Sequence, residues 1–534
     1  MEADLVLYNG KIVTVDDQEQ IYQALAVKFG RILDVGTDEK IKPLIGKETN
    51  AIDLKGRTVI PGLIDSHCHM AMVGASRELT EDLSEEAGIT SIGDIQAALA
   101  RRAENTPPGE WVTGFQEDDS KLAEKRHPTR WDLDGASQDH PVIISTVGGH
   151  FSIANSTAFK MAGVTRDTPD PVGGRFDRDP KTGEMTGGLH ETAVDIIQSG
   201  GRPTALTREQ SYDGAKKILE ECAAVGLTCV YDTVSKSEIR AVLDLKNRGE
   251  LPIRMRMDVV IDLFPQLAKL GIYRGLGDDW VRICGLKFFF DGAISARTAA
   301  VTEPYLDKPD FYGVLATTRE IARETILAAY AEGYRISAHA NGDKAIAMYL
   351  DIIEEAQSEY PRDDPRNRDI HCTVVNPKLV DRIRELGVLP TIFGPYVYYH
   401  GDKLIPAFGE KRLEWMFAAR SFLDAGVMVA AHSDHPCAPY PPLMAIHGLV
   451  NRTTKGGRPI GQSQKISVME ALRLYTTAAA YQAFDEDTLG SLEAGKLADM
   501  VILGEDILSI PPEQIIDIPI EMTIVGGKVI HQAS

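Results

Sequence analysis

Two histidines one residue apart, His67 and His69, stand in the run Asp65-Ser66-His67-Cys68-His69. On an extended strand alternate side chains face the same way, so both imidazoles point to one side and can hold one metal ion. Such a pair alone is equally two surface histidines. Three further residues change the reading. His339 ends the run YRISAHA, His371 lies in RDIHCTVV, and Asp434 ends VMVAAHSD. Singly, each reads as a satisfied histidine or a capping aspartate. Together with His67 and His69 they read as a metal centre, where divalent ions acidify a water and polarise a carbonyl. Lys287 sits in CGLKFFFDG, on the face shared by Val281, Ile283, Gly285 and Phe289. A lysine in such a run is rarely buried unless paired. It is either a strand-end lysine reaching solvent or a lysine combined with carbon dioxide, whose carbamate is an anionic ligand able to bridge two cations. His432 shares a face with Asp434, as an extra inward group or as a buried histidine bonded to backbone. His435 follows with no role assigned.

These residues need a scaffold that brings distant segments together. Candidate strands are TVIPGLIDSH (58–67), LTCVYDTV (227–234), IRMRMDVVI (253–261), VRICGLKFFFD (281–291), YRISAHA (334–340), RDIHCTVV (368–375), VLPTIFG (388–394) and VMVAAHSD (427–434). Helix-sized spacers separate most of them, which predicts a (β/α)8 TIM-like barrel over 59–487. The metal candidates lie at the C-terminal ends of these strands, where barrel active sites are built. A stretch from about 109 to 201, rich in Gly, Pro and Asp, predicts an inserted lobe. Residues 1–58 and 488–534 alternate in short runs split by Asn9-Gly10, Gly30 and Gly526-Gly527. Each is too small for a core of its own, so the two are expected to form one β-sandwich.

Composition narrows the function classes. The 534 residues carry 57 Lys and Arg against 78 Asp and Glu, a net charge of −21. That argues against nucleic acid and against an anionic lipid surface as partners. No apolar run is long enough to span a membrane. The six cysteines show no CxxC spacing, as expected of reduced thiols in a reducing compartment. With no basic and apolar leader pattern at the first residues, the cytoplasm is the expected location. Gly-x-Ser-x-Gly, P-loop and dinucleotide motifs are absent, so no other nucleophile or cofactor motif competes.

Several of these runs resemble the amidohydrolase superfamily, in its amidohydrolase-3 branch, which includes the YtcJ-like proteins and N-substituted formamide deformylase. VIPGLIDSHCH is similar to the first-strand motif, KFFFDGAISARTAA to the stretch around a bridging lysine, and HANGDKA to the fifth-strand motif. LGSLEAGKLADMVIL is similar to the return into the sandwich. The resemblance implies that His67 and His69 bind the more buried ion, that Lys287 bridges as its carbamate, and that His339 and His371 bind the second ion. It implies two divalent metals, zinc expected, and Asp434 as a ligand of the hydroxide and proton shuttle. Two departures stand out. Ile370 precedes His371 where the branch usually has Glu, and His432 replaces the usual Gly of the eighth-strand motif.

The expected chemistry is hydrolysis of a non-peptide C–N bond in a small molecule: an amide, N-formyl, urea or carbamate group. A metal-bound hydroxide attacks, and Asp434 acts as general base and then general acid. A cyclic-amide hydrolase or deaminase on the same barrel is the nearest alternative, although Lys287 argues against the deaminase. A metal-free binding protein is the alternative of another class. Expected substrate contacts are His150 and Asn155 in TVGGHFSIANS, Glu191 (with His190) in GGLHETA, Arg297, and Tyr396 and Tyr399 in FGPYVYYH. A homodimer is compatible with the sequence.

Overall fold

In a computed structural model describing residues 2–77, 79–85, 87–201 and 206–533, eight strands lie side by side in chain order. They are β1 (Leu63–Cys68), β2 (Leu227–Val234), β3 (Arg254–Val260), β4 (Val281–Phe289), β5 (Ile336–Ala340), β6 (Arg368–His371), β7 (Leu389–Phe393) and β8 (Ala430–His432). Every neighbouring pair is parallel. Every residue of β2 is buried, as expected of a sheet covered on one side by helices and filled on the other. The covering helices carry their own start and stop signals. Helix Lys236–Arg248 begins with a Ser235/Glu238 capping box and stops at left-handed Gly249. Helix Pro377–Leu386 is capped by Asn376 and ends at left-handed Gly387.

β1 and β8 meet through side chains and the residues just past the strand ends. Ser66 Oγ donates to Ala431 O at 2.7 Å. Asp434 N donates to His67 O at 3.0 Å, and His69 N to His435 O at 2.9 Å. The opposite end of the barrel is filled with charge. Arg368 donates to Asp258 at 2.8 Å, with Arg335 3.3 Å from the same carboxylate. Arg256 and Arg282 converge on Asp485.

One run expected as a single strand is two. Thr58–Pro61 pairs with Lys11–Val13 and Met500–Leu503, while Leu63–Cys68 opens the barrel. The chain changes sheets at Gly62, where a Cβ would collide with Thr228. Strands from both chain ends share a six-stranded sheet, facing a four-stranded sheet of residues 5–53. Leu5, Leu25, Val59, Met500 and Ile524 pack between them. The lobe has its own six-stranded sheet, which begins at Glu81–Asp82. Helix Ile92–Glu104 packs on it through Ile92, Ile95 and Leu99. The lobe thus starts ahead of the expected residue 109. Among the described residues no helix is long and apolar enough to cross a membrane.

Arg254 ties the barrel to the terminal strands. Its Nε and Nη2 lie 2.7 and 2.9 Å from Asp499, with both side chains almost fully buried. Asp499→Ala strands a buried guanidinium and is expected to cost about 3–5 kcal/mol. Denaturant titration reads this, and an unmoved midpoint would show that the pair adds nothing to stability.

Candidate metal centre

The strands' alternation and shared register deliver six candidate side chains to one end of the barrel. His67 and His69 leave β1 on the same side. Their Nε2 atoms stand 3.2 and 3.4 Å from Asp434 Oδ1. These three ligand atoms lie within 4.8 Å of one another, a spacing that one ion can bridge. Lys287 Nζ reaches His67 Nε2 at 3.0 Å from inside β4. His339 Nδ1 faces His371 Nε2 at 3.0 Å, and His371 lies 4.0 Å from Asp434 Oδ2. Among the described residues His371 Nδ1 has no hydrogen-bond partner, although the ring is buried. Ring nitrogens that converge on one another and a carboxylate, with so few protein donors between them, suit divalent cations.

The electrostatics agree with that fit. Burial, followed by Lys287, pushes His67 well below the ordinary imidazole range. Burial does the same to His339 and His371, so all three are neutral and able to ligate. Burial alone would raise the Asp434 carboxyl, but His371, His67 and His69 outweigh it and hold the group ionised. Lys287 is pushed down to about 7, chiefly by burial, which leaves a large share of the amine neutral near neutral pH.

Surrounding groups fix these side chains. Asp65 accepts from Ser433 Oγ at 2.5 Å and from Ser433 N and His67 N. Burial raises its carboxyl to about 7. Gly292 O lies 3.2 Å from His339 Nε2 and accepts from Asn341 Nδ2 at 3.1 Å. That contact orients the His339 ring with Nδ1 toward His371. Asp291 accepts backbone N–H bonds from Ala300, Asn341 and Gly342. Left-handed backbone at non-glycine residues gathers here: His371 (φ 79°), Cys372 (φ 43°), Asp434 (φ 55°) and Glu191 (φ 48°). Such strain persists only where surrounding contacts impose it.

The expected substrate contacts divide. His150 and Glu191 are brought together, Nδ1 to Oε2 at 2.9 Å, and the His150 ring lies 4.8 Å from that of His339. Burial opposes charge on His150, and Glu191 outweighs it, raising the ring's pKa. A Cβ at Gly292 would collide first with Thr298 Oγ1 and Cβ and also with Glu191 Oε1, so the packing of Thr298 is what requires glycine there. Asn155 has a different task from the one expected. It caps helix Ser156–Met161, accepts from Val142 N and Ala158 N, donates to Ser137 O and His140 O, and is fully buried. His190 belongs to a lobe pair with Asp177. Tyr396 and Tyr399 lie in the first turn of helix Tyr396–Leu413. Tyr396 is buried against Phe393 and His400. Tyr399 and Arg297, which pairs with Asp307 at 2.7 Å, line a separate side pocket. His432 is fully buried 5.0 Å from the His371 ring, with no well-formed hydrogen bond at either nitrogen. Its main-chain neighbour is Thr391, which opposes the downward push of burial on the ring. Asp65, Asp291 and Asn341 were not expected; only their places beside motif residues signalled them.

An eight-stranded parallel barrel with clustered histidines, a buried lysine and an aspartate at its C-terminal end defines the class of metal-dependent barrel hydrolases. The amidohydrolase family profile, Amidohydro_3, matches residues 50–531, and the chain belongs to that family. It is 29% identical to the putative amidohydrolase YtcJ of Bacillus subtilis, over 99% of each chain. It is 27% identical to N-substituted formamide deformylase of Arthrobacter pascens, over 98% of this chain and 97% of that one. A metal-dependent hydrolase from Pyrococcus horikoshii, solved as a crystal structure, superposes with a TM-score of 0.76 at 26% identity. That match covers 95% of this chain and 99% of the other.

Lys287 sets a pH dependence in the metal-free, CO2-free protein. Its amine titrates near 7 when folded and near 10.5 when unfolded. Between those values the unfolded chain binds more protons, so stability is expected to rise as pH climbs from about 7 towards 10.5. Lys287→Met should flatten that slope in denaturant titrations at several pH values. The same slope in both proteins would assign it to other groups.

Proposed function

We propose that the protein hydrolyses a non-peptide C–N bond of an amide, N-formyl, urea or carbamate type in a small molecule. The observation that carries this reading is Asp434, ionised and 3.2–3.4 Å from two histidine nitrogens, beside the buried amine of Lys287. His67, His69, Lys287, His339, His371 and Asp434 would hold two divalent ions, zinc in our reading. The neutral Lys287 amine is the form that adds to carbon dioxide: nitrogen bonds to the carbon, a proton leaves, and an anionic carbamate results. Bound divalent ions supply Lewis acidity, lowering the pKa of water and polarising a carbonyl.

The chain's residues do the rest. Asp434 Oδ accepts the proton of the attacking water and returns it to the leaving nitrogen. His150, held by Glu191, faces the same space from the lobe and positions the substrate's carbonyl end. The burial of His67, His339 and His371 excludes bulk water and strengthens each of these interactions. A metal-free binding role leaves a buried lysine and an orphaned His371 nitrogen without purpose. The cytoplasm remains our proposed compartment, with six free cysteines in support.

Elemental analysis of metal-replete protein is expected to give about two ions per chain; no more than one would overturn the binuclear reading. A panel of N-acyl, N-formyl, ureido and lactam compounds then identifies the substrate type, and no turnover of any would overturn the reaction class. Asp434→Asn is expected to keep most of the metal while kcat falls at least ~10²-fold. Near-normal kcat would place the proton transfer on another group, and complete metal loss would make Asp434 a structural ligand.

A further inference from the structure

Helix Tyr396–Leu413, which follows β7, touches both the lobe and the loop after β8. Two of its residues make these contacts, His400 and Lys403, three positions apart and so on one face. His400 grips the loop. Its Nε2 lies 2.8 Å from Cys437 O, and Cys437 N donates to Asp434 O at 2.7 Å. Burial pushes the His400 ring down to about 4. The ring is therefore neutral, and the nitrogen that faces a carbonyl is the one that carries hydrogen. Two hydrogen bonds thus join the helix to the main chain of Asp434.

Lys403 grips the lobe. Its Nζ lies 2.7 Å from Asp118 Oδ1 and 2.5 Å from Asp119 Oδ1, with the lysine side chain only 8% exposed. Burial opposes the charge, and the two carboxylates outweigh it and hold the ammonium. These aspartates directly follow the lobe strand Val112–Glu117. That strand pairs with Val142–Thr146, and Glu117 O accepts from Val147 N at 3.0 Å. Val147 opens the turn that carries His150. Gly149, left-handed at φ 70°, donates from its N to Thr146 O at 2.9 Å, and strand Phe151–Ala154 returns antiparallel. The base of the His150 turn is therefore bonded to the residue next to Asp118. Burying an ammonium with carboxylates returns little net stability. What such a pair fixes here is where the lobe sits relative to the helix.

We propose that Lys403 and His400 are positioning residues for the reaction: one helix face seats the lobe so that His150 stands by His339, and fixes the loop so that Asp434 meets His67 and His69. The kinetic consequence rests on the hydrolase reading above; the seating does not. The two grips fail differently. A loosened lobe gives up contacts to bound substrate and raises KM. A loosened loop misplaces the proton-transfer group and lowers kcat, since about 1 Å of misplacement costs up to about 10²-fold.

Two readouts on the metal-loaded full chain test this. Hydrogen–deuterium exchange read by mass spectrometry needs no substrate. Lys403→Met is expected to speed exchange about 10-fold in the hairpin 142–154, and Lys403→Arg, which keeps the charge, to restore the slow rate. His400→Ala is expected to do the same at 433–438, and His400→Gln, whose amide keeps a donor of similar reach, to restore it. Kinetics on a compound that is turned over supply the second readout. Lys403→Met should raise KM about 10-fold with kcat nearly kept, and His400→Ala should lower kcat about 10-fold with KM nearly kept. Both should retain the full metal content. If Lys403→Met does not fold, Asp119→Asn weakens the same grip and takes its place. Unchanged exchange in both segments would overturn the proposal. So would chain-wide loosening that the Arg and Gln variants leave in place, which would make the two residues merely structural. The two readings separate cleanly. Turnover with unchanged exchange removes the positioning proposal alone. The expected exchange changes, with no compound turned over, support the seating and remove the reaction class.

Discussion

The junction between the first and eighth strands is the constraint on which the rest depends. His67 and His69 come from one side of it and Asp434 from the other, and their ligand atoms must stand within a few ångströms. Main-chain bonds from Asp434 N to His67 O and from His69 N to His435 O lock the two together. Asp65 adds a carboxylate that gathers Ser433 and His67 onto one acceptor. The same few bonds close the barrel and set the spacing of the His67, His69 and Asp434 ligand atoms. Fold stability and site precision are therefore one property here.

The lobe works on the site from outside the barrel. It reaches over the C-terminal face and inserts the His150–Glu191 pair next to His339. Gly292 is the meeting point: its carbonyl orients His339, and its missing side chain leaves room for Thr298 and the end of Glu191. A single residue thus couples the orientation of a metal-facing histidine to the seating of the lobe. The lobe and the helix after β7 are held together by Lys403 between Asp118 and Asp119.

The barrel was readable in the sequence because fully covered strands are long apolar runs, and β2 matches its expected span. The histidines and Asp434 stood out because they lie at the ends of such runs, and Lys287 because it interrupts one from within. The change of sheet at Gly62 was not, since both strands are apolar and alternation says nothing about which sheet a strand joins. The lobe's start was hidden because Glu81–Asp82 is short and polar. Asp65, Asp291 and Asn341 act through neighbours brought by folding, so spacing cannot find them. Asn155 misled for the opposite reason: a polar side chain near a motif was occupied entirely with capping a helix.

The sheet shared by the two chain ends bears on how the protein is made. Thr58–Pro61 lies between Lys11–Val13 and Met500–Leu503, so one of its edges waits for residues joined more than four hundred positions later. Until those residues emerge, the nascent chain carries an unpaired, apolar strand edge, the kind of surface that chaperones shield and that aggregates when they do not. Arg254 likewise waits for Asp499. The barrel therefore gains its last partners only after residues 499–503 have been made, and the same docking step hides both.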